Sequence, residues 1–113
     1  MKRIATLVLM VAGAVATTTA ATAHAATCKP PTYPGSGYFT SLKVTKVSCA
    51  TGKSVALAFH KCRTKHGISG RCASKVKGYS CREKRQSIAT EIDGSVTCTY
   101  GARKVALKYQ QNT

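Results

Sequence analysis

The sequence predicts an α+β fold: one helix packed on a four-stranded, mainly antiparallel sheet in the order β-α-β-β-β, stabilised by disulfides. Three observations carry this. Only the segment 48–66 has a helical apolar period with a cap signal at each end; four other segments alternate in polarity; and six cysteines follow a leader-like beginning.

The chain opens MKRIATLVLMVAGAVATTTAATAHA, two cations before an apolar run from Ile4 to about Ala16, closing on Ala23-His24-Ala25. This predicts a secretory signal peptide over 1–25, because a spanning helix needs about 20 apolar residues. Residues 26–37, ATCKPPTYPGSG, hold all three prolines and no apolar period. They predict an extended arm tied down at Cys28. A single α+β domain then runs over 38–110.

Its first strand is 38–47, with Tyr38, Thr40, Leu42 and Val44 on one face and Phe39, Ser41, Lys43 and Thr45 on the other. At Ser48 the period changes. Ser48 reads as the helix N-cap and Gly67 as the residue that ends the helix, giving a span of about 49–66. On a helical wheel Val55, Phe59, Cys62 and His66 share the face that meets the sheet, while His60 points about 140° from Val55, toward solvent. Gly52 costs the first turn about 1 kcal/mol relative to Ala. GISGRCAS, 67–74, reads as a loop back to the sheet. Three further strands follow at 76–82, 92–100 and 104–109, with Tyr79, Cys81, Val96, Cys98, Tyr100, Val105, Leu107 and Tyr109 inward. Gly101-Ala102 signals a tight hairpin between the last two, residues 83–90 a longer connection before them, and the closing QQNT a frayed tail.

Cleavage after Ala25 would leave one small domain, whose core buries too little surface to be secure unaided. All six cysteines (Cys28, Cys49, Cys62, Cys72, Cys81 and Cys98) lie beyond that point, and an even count in an exported chain reads as three disulfides. Cys62 with Cys72 and Cys81 with Cys98, the latter facing across neighbouring strands, would leave Cys28 with Cys49. Each bridge would contribute about 2–4 kcal/mol.

The chain carries 18 Lys and Arg against 3 acidic residues, a formal charge of +15, of which Lys2 and Arg3 fall in the leader. Such a field draws anions and opposes self-association, so the expected state is a monomer without a membrane span, bound to anionic wall polymer or another extracellular polyanion, nonspecific nucleic acid included. The polyanion-binding set read from the sequence is Lys61, Arg63, Lys65, Arg71, Lys75, Lys77, Arg82, Lys84 and Arg85. Five of seven aromatics (Tyr38, Phe59, Tyr79, Tyr100 and Tyr109) read as core-facing, leaving Tyr33 and Phe39; that is too few stacking rings for base recognition.

HKCRTKHGISGRC, 60–72, raises sharper readings. Cys62 and His66 lie four apart, as zinc or copper ligands can. However, His60 diverges from His66 by about 120° around the helix and four cations would repel a dication, so the expectation is no metal and no cofactor. A small nuclease using His60 or His66 with Glu83, Glu91 or an arginine would need those groups in mutual reach, which spacing does not give. Cys49 at a helix start could be a reactive thiol, but five other cysteines make pairing the simpler fate. Glu83, Glu91 and Asp93 read as screened surface partners of the surrounding cations. No catalytic residues are therefore assigned, and the protein is expected to be noncatalytic. The alternatives are the nuclease and a cationic antimicrobial or toxin-like protein, the latter lacking a broad apolar helix face to enter lipid.

The combination VSCAT (47–51), GRC (70–72), GYSCREKR (78–85), VTC (96–98) and the closing QNT resembles an uncharacterised family of small secreted, cysteine-containing actinobacterial proteins. The likeness spans most of the region after the leader. It implies export and one compact domain, and brings no catalytic residues with it.

Overall fold

The computed structural model describes residues 25–113; the expected signal peptide, apart from Ala25, lies outside them. The elements are β1 (Ala26–Cys28), β2 (Gly37–Thr45), α1 (Cys49–Arg63) with a 3-10 turn over Thr64–His66, β3 (Ser80–Ile88), β4 (Glu91–Tyr100) and β5 (Arg103–Asn112). One helix lies on an antiparallel sheet, as the polarity patterns require. The sheet has five strands rather than four, in the order β1-β2-β5-β4-β3. The extra strand is in the arm, where Ala26, Thr27 and Cys28 pair with Val44, Lys43 and Leu42. Three residues are too few for alternation to show.

Side chains alternate across each strand, so one sheet face meets the helix and the other is open. Leu42, Val44, Val96, Cys98, Val105, Leu107 and Tyr109 point to the helix and join Val55, Ala56 and Phe59 in one core. Ser48 caps the helix, its Oγ accepting from the Thr51 amide at 3.2 Å. The apparent liability of Gly52 has a packing reason: a Cβ there would meet Val44 Cγ1 at 2.4 Å, so glycine is what lets the first turn approach the sheet.

Four sequence expectations need correction. A β-bulge between Phe39 and Ser41 shifts the register of β2 on β5. The extra residue inverts the face of everything before it, so Tyr38 is 64% exposed while Phe39 packs against the core. The strand placed at 76–82 starts at Ser80, and the residues read as a long connection are its continuation to Ile88, turning through Ala89 and Thr90 into β4. The tail is ordered, since β5 reaches Asn112 and Gln111 is buried. Tyr33 is buried and Tyr100 is 50% exposed, the reverse of their expected places.

The disulfides are Cys28–Cys49, Cys62–Cys72 and Cys81–Cys98, the same three pairs set out from the sequence. They tie β1 to the helix start, the helix end to the following loop, and β3 to β4 at directly opposed positions.

Candidate anion-binding surfaces

The nine cations expected to bind a polyanion divide into three groups, and the first lies inside the protein. The buried helix stripe runs through Gly52, Val55, Ala56, Phe59, His60 and Arg63. It is centred about 70° from Val55, rotated from the expected stripe because sequence reasoning excludes a charged residue from a core face. Arg63 is 1% exposed. Its guanidinium donates to the Tyr33 hydroxyl at 2.8 Å, to Gln111 Oε1 at 3.0 Å and to the Ile68 carbonyl, and lies 4.4 Å over the Tyr109 ring. These bonds replace most of the water it loses, Nε alone having no partner, which is why an arginine is tolerated there.

Arg85 is the second internal cation. Its Nε donates to Glu83 Oε2 at 2.6 Å, and its terminal nitrogens donate to the carbonyls of Ser69 and Gly70 at 2.9 and 2.7 Å. Glu83 also accepts from the Tyr109 hydroxyl at 2.7 Å. Glu83 is thus an interior partner, its side chain 8% exposed, rather than a surface one. Burial, and then the bond to Glu83, push the Tyr109 phenol up to about 12. Gly94 lies directly opposite Tyr109, and a Cβ on it would meet the ring at 2.1 Å; the tyrosine fills the space that the glycine leaves. The guanidinium groups of Arg63 and Arg85 are held by these contacts.

The second group lines the helix layer. Lys61 projects from the last turn of α1 and Lys65 from the 3-10 turn after it, with Lys75 and Lys77 on the loop opposite. Together with Ala58, Cys62, Ser74 and Val76 they enclose a groove of about 410 Å³ with no carboxylate in its lining. An adjoining hollow adds His66 and Arg71. The Cys62–Cys72 bridge holds the two walls of this hollow together. Lysines in a last helical turn also complement the carbonyl end of the helix dipole, which accounts for Lys61 and Lys65 but not for Lys75 and Lys77. Arg71 is partly engaged, 3.5 Å from Glu83 with its side chain 64% exposed.

The third group, Arg82 and Lys84, lies on the open face of the sheet. Register brings three cations to the same face that the sequence reading left out of its set. Lys43, Ala106, Thr97 and Arg82 form one row across the sheet, Ser41, Lys108, Ser95 and Lys84 the row on one side of it, and Lys104 stands in the row on the other side. Strand alternation carried this signal, but only the strand order shows that the rows align.

The histidines exchange their expected places. His60 is buried edge-on to Tyr33 at 4.6 Å, with Nδ1 lacking a hydrogen-bond partner. Burial, and then the nearby Arg63 charge, lower its pKa. His66 is exposed because the 3-10 turn tightens the helix end. Cys62, Cys72 and Cys49 are all in disulfides, and among the described residues no group of three His, Cys, Asp or Glu converges. Among the described residues no helix is long and apolar enough to cross a membrane.

No protein-family description, curated protein or solved structure matches this chain.

Proposed function

We propose that this is a secreted, noncatalytic protein that binds extracellular polyanions, with anionic cell-wall polymer as its principal ligand. The observation that carries the reading is the groove on the helix layer, where four lysines from two segments converge without a carboxylate. Like charges brought together in a small protein repel one another, so a cluster of this kind is relieved by an anion. Three disulfides suit an oxidising compartment, and the apolar leader supplies the route to it. The expected partner contact is electrostatic and shallow, since apart from the lysines the groove offers only Ala58, Ser74, Val76 and the bridge at Cys62.

Retention on isolated bacterial walls tests this. Protein bound at low ionic strength should elute as salt rises, because the screening length shrinks from about 10 Å at 0.1 M to about 3 Å at 1 M. Replacing Lys61, Lys65, Lys75 and Lys77 by glutamine should shift elution to lower salt. Retention that persists in molar salt, or is indifferent to these substitutions, overturns the reading.

A further inference from the structure

The open face of the sheet carries a second basic surface on the opposite side of the molecule from the groove. An uncovered polar face is ordinary in an antiparallel sheet, and scattered lysines on it need no ligand. This face departs from that in its relief. Its centre is occupied by Ala106 and Ser95, with Thr97 beside them, on the central strands β4 and β5; at the first two positions strand preference favours larger β-branched and aromatic residues. The small side chains leave a hollow of about 230 Å³ between Lys43 and Lys108, and a second of about 590 Å³, which shares Ser95 and Lys108 with it, adjoins on the side of Lys84 and Asp93.

Cations surround the depression. Lys43 and Arg82 stand at the two ends of one row, three strand spacings or about 14 Å apart, and Lys104 and Lys108 are separated along β5 by about 13 Å. Lys84 completes the rim beside Lys108 and Ser95. The acidic residues lie to one side: Asp93 lines only the larger hollow and Glu91 follows it at the start of β4, so no carboxylate lines the smaller hollow between Lys43 and Lys108. The basin thus combines long flexible donors at its edge with serine and threonine hydroxyls in its floor, a set that suits phosphate oxygens along an extended chain.

We infer that this basin is a second binding surface for a linear phosphate polymer, and that the protein bridges two such chains, one on each layer. The inference rests on the polyanion reading of the helix-layer groove. The five-stranded sheet lies between the two surfaces, so a single stretch of chain laid in one does not reach the other, and simultaneous occupation links separate polymers. A protein of this kind would gather anionic polymer into a network rather than only adhere to it.

A capture experiment separates the two claims. Wild-type protein is loaded on a sparsely grafted resin of long-chain inorganic polyphosphate, washed, and offered fluorescently labelled soluble polyphosphate. It should hold the label on the resin. The triple variant Lys43→Thr, Lys104→Thr, Lys108→Thr should still load through the helix layer but capture on the order of tenfold less label, as loss of phosphate contacts implies. The groove variant with Lys61, Lys65, Lys75 and Lys77 changed to Gln should load through the sheet and show the same loss of capture. A melting temperature matching wild type confirms that each variant is folded. Wild-type protein that fails to load overturns the polyanion reading itself. Wild-type protein that loads but captures no label, or a sheet-face variant that captures as much as wild type, overturns the bridging inference alone.

Discussion

The inner face of the sheet is covered in two ways, and the contrast shows how a chain this basic keeps a core. Over β1, β2 and β5 lies the helix, and the contact is apolar: Leu42, Val44, Val55, Phe59, Val105 and Leu107. Over the Ile88 end of β3 and the neighbouring end of β5 lies the 67–71 loop. There the contact is made by two arginines, which donate to the loop carbonyls of Ile68, Ser69 and Gly70 and are in turn held by Glu83, Tyr33, Tyr109 and Gln111. A helix satisfies its own backbone and can be packed with hydrocarbon. A loop cannot, so its carbonyls must be given donors, and arginine supplies several from one side chain.

Breaking the covalent ties should have the largest effect. Each of three bridges is worth about 2–4 kcal/mol in a domain whose whole stability is on the order of 5–15 kcal/mol, so full reduction is expected to unfold the protein. A thermal melt unchanged by reductant would show the two coverings to be self-sufficient. Next come substitutions that address one covering each. Phe59→Ala should cost about 3–5 kcal/mol by leaving a cavity under the helix. Arg63→Met, one turn later, should cost about 2–3 kcal/mol through lost charged hydrogen bonds. Amide exchange distinguishes them: only the arginine variant should deprotect residues 67–71 while the helix start stays closed. Equal deprotection of both regions would dissolve the contrast.

The smallest effect expected is that of pH, and it belongs to the polar side. His60 has a folded pKa below its ordinary 6.5. Its contribution is therefore present above about 6.5 and is lost as pH falls through the folded value. Tyr109, raised from 10.0 to about 12, works in the opposite sense: its contribution is complete below 10 and lost as pH rises through about 12. Denaturant midpoints should fall at both extremes, with His60→Phe flattening the acid limb and Tyr109→Phe the alkaline one. If neither variant changes its limb, the burial of these groups is not what titrates.

The apolar covering was legible in the sequence and the polar one was not. Ser48, Val55, Phe59 and Gly67 mark the helix by cap, period and stop, and Val96, Val105 and Leu107 mark two strands by alternation. β3 was legible only as far as Arg82, with Cys81 inward; its continuation was missed because the next inward residues, Glu83, Arg85 and Ser87, are not hydrophobic, so an alternation of polar with polar has no visible period. Arg63 escaped for the same reason on the helix. Tyr38 and Phe39 were assigned to the wrong faces because a one-residue bulge leaves no mark in composition. The candidate groove was half visible: Lys61, Lys65, Lys75 and Lys77 are there by number, but which basic residues are drawn inside and which align across the sheet depends on pairings between distant segments.

The central position of β5 bears on how the protein is made. As the last strand of the chain it lies between β2 and β4, so the β1-β2 pair and the β3-β4 hairpin have no edge in common until it arrives. Nothing resembling the finished five-stranded sheet can form before this strand is in place. None of the three disulfides includes a β5 residue, so the bridges can close within the separate pieces, and the strand that completes the sheet then brings Tyr109 and Gln111 to the two arginines.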